Sequence, residues 1–235
     1  MDTLLGALES AAVLVAGLAV RAGLLLIVLA VLSVPVFLFL TGMKGVDAIR
    51  RRLMGIMRVG RLFWSDQVYY APSHAWVRPT ARQRVTVGLD DLAQRLFASP
   101  IGIKLPLPGT EVRSGQPVAE IRSAGRRVSI VSPVSGTVTR VNEALRDDAS
   151  LLHREPYARG WLFAMNTADA AYEKLPAGPT AMAWLSNEGQ RLSRFYEKQL
   201  GVAAADGGNY VEHPPTLLSD RQWEELTHEF LGSPL

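Results

Sequence analysis

Histidines and paired carboxylates are the residues of this 235-residue chain that could perform acid–base or metal chemistry. The four histidines are His74, His153, His213 and His228. None lies four residues from another, the spacing that places two imidazoles on one helical face around a metal ion. The sequence therefore predicts no metal site, and His74 is interpreted as structural rather than catalytic.

Two acid pairs, Asp90-Asp91 and Asp147-Asp148, could place two carboxylates together. We predict that the first pair begins a helix, where carboxylates favour the N-terminal dipole, and that the second lies in a loop. The chain has no cysteine, nucleophile elbow, phosphate-binding loop or dinucleotide fingerprint. We therefore expect no catalytic residues, no cofactor and no small-molecule substrate; the protein is predicted not to be an enzyme.

The N-terminal 43 residues are predicted to form a membrane anchor. Residues 22–43, AGLLLIVLAVLSVPVFLFLTGM, contain no charged residue. As a helix they extend roughly 33 Å, enough to cross a hydrocarbon core of about 30 Å. The preceding apolar residues 10–20 end at Arg21, which could lie at the outer interface; a single long, tilted helix is the alternative.

Basic residues crowd the segment that follows, although the net charge of the chain is only +3. They are Lys44, Arg50, Arg51, Arg52, Arg58 and Arg61. The positive-inside rule then predicts a single-pass protein of the inner (cell) membrane, with its N-terminus outside and the bulk of the chain cytoplasmic. This distribution suggests membrane lipid rather than nucleic acid as the anionic partner.

Residues 44–67 form a basic juxtamembrane segment in this interpretation. Val46, Ile49, Leu53, Ile56 and Met57 follow a helical spacing, with arginines between them. This pattern predicts an amphipathic helix, either on anionic headgroups or docked on a partner protein. Two aromatic residues at its end, Phe63 and Trp64, would suit an interfacial anchor.

After residue 67 the pattern changes to short β-rich runs separated by glycine and proline. Such runs predict a small mainly-β sandwich or barrel. Residues 90–98, DDLAQRLFA, interrupt them with a helical pattern. After the turn at Ser135-Gly136, Thr137, Thr139 and Val141 alternate with Val138 and Arg140, as in a half-buried strand.

Five segments in this region carry a family resemblance in chain order. They are YAPSHAWV (70–77), VTVGLDDLAQRLFA (85–98), LPLPGTEVRSGQPVAEI (105–121), SPVSGTVTRVNEAL (132–145) and REPYARGWL (154–162). Residues 68–175 resemble the glycine cleavage system H protein, a lipoyl carrier of the biotinyl/lipoyl hybrid-sandwich family. The resemblance implies a lipoyl-type barrel-sandwich hybrid with a hairpin that presents a lipoyl-lysine.

The lysine implied by the resemblance is missing from its place. Counting back from Ser132-Pro133 puts Gly125 where the family has lysine and Arg122 where it has glutamate; Ser123 remains. Arginine cannot replace the lysine, because a guanidinium stays protonated and is a poor nucleophile. The four lysines of the chain are Lys44, Lys104, Lys174 and Lys198. None is expected at the tip.

Arg122, Arg126 and Arg127 surround this position instead. They could grip carboxylates or phosphates on a partner, or they could simply keep the hairpin solvated.

Residues 176–235 are predicted to be a helical extension with a linker near 201–217. Residues 180–200 follow a loosely helical pattern interrupted by Gly189. Ser219 and Gln222 form a capping-box pattern before a last helix with Trp223 and Phe230 on one face. That face is expected to fold back on the β domain or to dock on a partner.

The sequence thus predicts a transmembrane helix, a mainly-β domain and a helical extension. The main functional hypothesis is a membrane-anchored, non-lipoylated H protein-like subunit, a structural or accessory component of a membrane-bound complex at the cytoplasmic face. Its expected partners are membrane lipid and other subunits of that complex. One alternative is the lipoyl carrier of glycine decarboxylation; another is a membrane-fusion-type adaptor of an export system.

Overall fold

The computed structural model describes residues 17–29, 31–33, 49, 52, 54–97, 100–201 and 215–232. The chain divides into two compact units, Met1–Arg50 and Arg51–Leu235. In the first unit, residues 17–29 and 31–33 are helical. Every side chain from Leu24 to Leu29 is half or more exposed, so apolar groups face outward all round this segment.

Within the described part of the chain, no helix combines the length and the apolar character needed to cross a membrane. Residues 34–43, the second half of the predicted span, lie outside the described residues. The predicted transmembrane helix therefore remains a prediction.

The second unit begins with a β-hairpin, which corrects the amphipathic helix predicted through Ile56 and Met57. Strands β1 (Ile56–Val59) and β2 (Leu62–Ser65) pair antiparallel, with Val59 opposite Leu62. The two-residue loop begins with Gly60, whose φ of +57° suits glycine at the first position of a tight hairpin turn. Trp64 is not an interfacial anchor, because it is only 4% exposed and belongs to the core.

In the described part of the second unit, nine further strands form two sheets. Their bounds are β3 Tyr69–Tyr70, β4 Ala75–Ala81, β5 Arg84–Leu89, β6 Pro100–Lys104, β7 Glu111–Val112, β8 Pro117–Ser123, β9 Arg126–Val131, β10 Gly136–Val141 and β11 Trp161–Thr167. One sheet has the order β3-β4-β5-β11-β10-β7 and the other the order β6-β8-β9. All pairings in both sheets are antiparallel, which agrees with the predicted mainly-β domain.

Apolar side chains from both sheets form the core. Trp76 on β4 is fully buried, and its indole N–H donates to the carbonyls of Leu89 (2.9 Å) and Pro156 (3.2 Å). On β10, Val138 and Val141 are both buried because the register with β11 shifts between Val138 and Arg140. This bulge breaks the strict alternation predicted for the strand.

Among the described residues, three short α-helices lie between the strands. The predicted helix at 90–98 is confirmed as α1 (Asp91–Arg95), with Asp90 as its N-cap accepting from the backbone N–H of Ala93 at 2.8 Å. Helices α2 (Ala144–Asp147) and α3 (Leu151–Arg154) follow β10. Asp147 therefore ends a helix rather than lying in a loop, and Asp148 begins the turn to α3.

Two C-terminal helices fold back on the β domain, one of the two predicted arrangements. Helix α4 (Gly178–Leu200) runs unbroken through Gly189, and α5 (Asp220–Leu231) contacts β9. The predicted capping box at Ser219 and Gln222 is confirmed. The predicted stripe on α5 is buried: Trp223, Leu226, Phe230 and Leu231 are each no more than 5% exposed. Residues 202–214 of the predicted linker lie outside the described part.

Candidate functional site

The hairpin formed by β8 and β9 is the place where the family resemblance puts the chemistry. Ser123 pairs with Arg126, which leaves a two-residue loop of Ala124 and Gly125. Their φ values are +50° and +78°, the two positive angles that a type I′ hairpin turn requires. A Cβ atom built on Gly125 meets no other atom within 4 Å, so a side chain there would project into open space.

No lysine of the described residues lies at this tip. Lys104 is on β6 opposite Glu120, three residues and thus about 10 Å along β8 from Ser123. Lys174 ends the 3₁₀ turn Ala171–Lys174, and Lys198 is on α4. Lys44 lies outside the described residues. The position suited to a projecting arm therefore holds a glycine.

Arg126 does not belong to an open contact surface, as the sequence suggested, because it binds the C-terminal helix. Its Nη2 atom donates to the carbonyl of Leu218 at 2.6 Å and to Oδ1 of Asp220 at 3.1 Å. The guanidinium also lies over the Trp223 ring, 5.2 Å from the centroid. Arg126 thus fastens the start of α5 beside the hairpin tip, where a cavity of about 280 Å³ lies between them.

Arg122 and Arg127 lie together on the other face of the hairpin. They are directly opposite each other in the β8–β9 register, one residue before Ser123 and one after Arg126. Both are exposed. Arg122 donates through Nε to Oε1 of Glu120 at 3.1 Å. The predicted group of three arginines is therefore divided between two faces, because neighbouring residues of a strand point in opposite directions.

The predicted membrane-surface residues are only partly described. Lys44, Arg50 and Arg51 lie outside the described residues, whereas Arg52, Arg58 and Arg61 are exposed. Arg58 donates through Nε to the carbonyl of Gly60 at 2.8 Å and lies over the Phe63 ring at 6.0 Å. Their contact with lipid remains a prediction.

A buried polar cluster around His74 joins the β domain to the C-terminal helices. Nδ1 of His74 lies 2.7 Å from Oδ2 of Asp90, with both side chains fully buried. Nε2 of His74 lies 3.5 Å from Oε2 of Glu188 on α4, and Arg191 donates to the same Glu188 oxygen at 2.7 Å. Nε of Arg191 also forms an ion pair with Oε1 of Glu229 on α5, at 3.1 Å.

Charge compensation sets the ionisation of this cluster. Complete burial disfavours the imidazolium form of His74, but Asp90 and Glu188 outweigh it and raise the pKa of His74 to about 9. Burial also opposes ionisation of Glu188, yet His74 and Arg191 together lower the pKa of that carboxyl group. At neutral pH this raised pKa favours the charged form of His74, which lies between the side chains of Asp90 and Glu188.

This cluster was missed by the sequence reasoning, which found no acid beside a histidine. The signal was present in the strand register: Ala75 pairs with Leu89, so the residues just outside that pair, His74 and Asp90, come together. No sequence signal places Glu188 near His74, because their contact depends on how α4 packs on the β domain. His74 has no exposed surface, and in the described part of the chain its two ring nitrogens face the carboxyl groups of Asp90 and Glu188. The structural role expected of His74 remains a prediction.

Asp91 is a second buried carboxylate, and it joins α1 to the first hairpin. It accepts from the backbone N–H of Phe63 at 2.9 Å and from Nε of Arg95 at 2.9 Å. Burial raises the pKa of Asp91, partly opposed by Arg95. Tyr157 closes the arrangement by donating to the carbonyl of Phe63 at 2.9 Å.

In the described residues, no group of three or more potential ligand side chains could hold a metal ion.

The two sheets, the projecting hairpin and the helices define a small mainly-β domain of the H protein type with C-terminal helices. The family model described as "Glycine cleavage H-protein" matches residues 68–186, slightly more than half of the chain. The chain belongs to the glycine cleavage H-protein family.

Curated relatives agree with this assignment. A glycine cleavage system H protein of Cronobacter sakazakii is 36% identical over 106 residues, which cover 45% of this chain and 82% of the relative. One from an Enterobacter species is 35% identical over 119 residues, covering 51% of this chain and 92% of the relative. A crystal structure of a glycine cleavage system H protein from Mycobacterium marinum superposes with a TM-score of 0.46 at 23% identity, covering 53% of this chain and 99% of that one.

Proposed function

We propose that this chain is a non-lipoylated member of the H-protein family that serves as a membrane-anchored structural or accessory subunit. The observation that carries the proposal is Gly125 at the tip of the β8–β9 hairpin, in the open position that suits a projecting arm. A lipoyl amide needs a side-chain amine that can become neutral, and a glycine offers none. The protein then acts by binding rather than by carrying an intermediate.

The arrangement around the tip supports this proposal. Arg126 holds α5 against the hairpin through Leu218 and Asp220, so the hairpin supports a helix of its own chain. The C-terminal helices also cover the turn that holds His74: Trp184 packs on the imidazole at 5.0 Å between centroids and Phe230 at 6.1 Å. The carrier fold is retained, while its hairpin serves as a packing surface.

Membrane anchoring at the cytoplasmic face is the second part of the proposal. It is supported by the charge-free run at 22–43, by the basic residues after it, and by the outward-facing apolar side chains from Leu24 to Leu29. An isolated helix with such a surface would be unfavourable in water. Protease treatment of oriented vesicles tests the orientation: residues 51–235 should be cleaved only from the cytoplasmic side.

Purification from native membranes in mild detergent, followed by mass spectrometry, tests the subunit role. We expect the chain to co-purify reproducibly with the same membrane proteins across independent preparations and detergents. A monomer without a reproducible partner would contradict the proposal.

The lipoyl carrier of glycine decarboxylation is the second candidate function. Family membership favours it, since the relatives are named as glycine cleavage system H proteins. It requires acylation of one of the four lysines, none of which is predicted or described at the hairpin tip. A lipoyl increment in the intact mass would establish this function in place of the first. The family match gives no support to the export adaptor.

A further inference from the structure

The outer face of the β6-β8-β9 sheet carries a compact group of charged residues that has no role in the fold described so far. Two rows cross this face: Lys104, Glu120 and Ser129 stand opposite one another in the first, and Gly102, Arg122 and Arg127 in the second. Strands are about 4.8 Å apart and alternate residues about 7 Å, so the positions of the three cations lie within roughly 12 Å of one another. We call this group, Lys104, Arg122 and Arg127 with Glu120, the basic face.

The direct pairing of Arg122 with Arg127 is unfavourable for the isolated fold. Like charges at directly opposed positions of an antiparallel pair destabilise it. Glu120 relieves only part of this repulsion: it pairs with Arg122 at 3.1 Å, but the Arg122 side chain is 58% exposed, and solvent-exposed ion pairs are weak. In the described part of the chain, the guanidinium of Arg127 has no hydrogen bond or ion pair.

The other side of the same hairpin shows that these arginines are not needed for packing. Ile121 and Val128 point into the core and are 0% and 2% exposed. The hairpin is thus held by its inner face and by Arg126, which leaves the outer face free to recognise something else.

We propose that the basic face binds an acidic segment of a partner protein; this inference rests on the proposed function and names the chemistry of the partner. The guanidinium of an arginine can donate two parallel hydrogen bonds to one carboxylate. Two arginines side by side can therefore bind two successive acidic side chains. Carboxylates placed there would neutralise the Arg122–Arg127 repulsion.

A protein partner fits this face better than an anionic membrane. Surface-bound proteins insert large apolar side chains between lipid headgroups, and the large exposed apolar residues described in the second unit, Met57, Leu107, Met182 and Leu217, are not among the residues of this face. Anionic lipid would repel Glu120. In a protein partner, a lysine or arginine next to the acidic residues could pair with Glu120.

Zero-length crosslinking tests the proposal on the full-length chain in detergent, with poly-L-glutamate as the probe. A carbodiimide joins a carboxylate to an amine in direct contact, and Lys104 supplies an amine on the basic face. Peptide mapping then compares adducts at Lys104 with those at Lys174 and Lys198, which lie elsewhere in the fold. We expect Lys104 to be the dominant site.

Two charge-matched variants separate the basic face from general attraction. Arg122→Glu with Arg127→Glu should reduce the Lys104 adduct at least tenfold. Arg82→Glu with Arg84→Glu makes the same charge change on exposed residues of the β4–β5 hairpin and should leave it within twofold. Arg122→Gln with Arg127→Gln, which avoids new repulsion from Glu120, should also reduce the adduct; melting curves verify that each variant is folded.

Two results would overturn the proposal. One is an equal loss of the adduct in both Arg→Glu variants, or no loss in either. The other is binding of the chain to phosphatidylserine vesicles that depends on Arg122 and Arg127 while the poly-L-glutamate adduct does not; this would identify a lipid face. Neither result bears on lipoylation, so the proposed function can stand or fail separately.

Discussion

Nδ1 of His74 lies 2.7 Å from Oδ2 of Asp90, and neither side chain has exposed surface. The pair connects the turn before β4 to the N-cap of α1, and Glu188 on the opposite side of the ring extends the connection to α4. The imidazole therefore contributes to stability mainly in its charged form.

Stability should decline with alkaline pH because of this histidine. The folded-state pKa of about 9 exceeds the ordinary value of 6.5. The contribution of a group with a raised pKa is complete below its unfolded pKa and is lost as pH rises through its folded pKa. We expect the melting temperature to fall between about pH 6.5 and pH 9.

His74→Gln is the matched variant for this measurement. It should melt at a lower temperature than the parent at pH 6.5, and the difference between the two should shrink as the pH approaches 10. Calorimetry across this range checks it. A difference independent of pH would show that the charge on His74 does not stabilise the fold.

Arg126 should contribute to stability through α5, unlike its neighbour Arg127. Arg126→Gln removes charge-assisted hydrogen bonds to Leu218 and Asp220 and should lower the free energy of unfolding by about 1–3 kcal/mol. Arg127→Gln removes an exposed cation opposite Arg122 and should leave stability unchanged or slightly higher. Urea unfolding of both variants provides the comparison; equal losses would contradict the role given to Arg126.

A methyl group at Gly88 should not fit beside Trp76. A Cβ atom there would lie 2.3 Å from Cζ2 of the buried indole, so Gly88→Ala must displace a core residue. We expect a loss of about 1–3 kcal/mol in the free energy of unfolding. Gly102→Ala is the control, since a Cβ at Gly102 meets nothing within 4 Å. Equal effects would mean that the packing around Trp76 is looser than described.

The hairpin tip should accept a lysine and, with it, the carrier modification. Gly125→Lys combined with Arg122→Glu restores the Glu-Ser-x-Lys pattern of the family, in a position where a side chain meets no other atom. The positive φ of +78° should cost about 1 kcal/mol. Intact-mass measurement after expression with a lipoylation system should show a lipoyl increment, and Gly125→Arg with Arg122→Glu should show none, because arginine is not acylated.

The β domain could be predicted because its signals are local and ordered along the chain. The family resemblance, counted back from Ser132-Pro133, placed the hairpin tip at Gly125, and the structure has its turn at Ala124 and Gly125. The capping box at Ser219 was equally readable, since both of its residues lie within one turn.

The first hairpin and the contacts of Arg126 and His74 were not predicted. Some of their sequence signals were overlooked, and others depend on residues far apart in the chain. Gly60 marks the β1–β2 turn, but the apolar residues at helical spacing before it, with arginines between them, suggested a helix instead. The separation of Arg126 from Arg122 and Arg127 follows from strand alternation, whereas the binding of Arg126 to Leu218, 92 residues away, required the tertiary fold. The contact of Glu188 with His74 likewise required the tertiary fold.

The intact mass of the full-length chain, purified from its native cells grown with lipoate, tests the central claim most directly. We expect the mass of the unmodified polypeptide, whereas the Arg122→Glu/Gly125→Lys variant from the same cells should gain a lipoyl group and so show that the modifying enzymes are active. A lipoyl increment on the parent chain, mapped to Lys44, Lys104, Lys174 or Lys198, would contradict it.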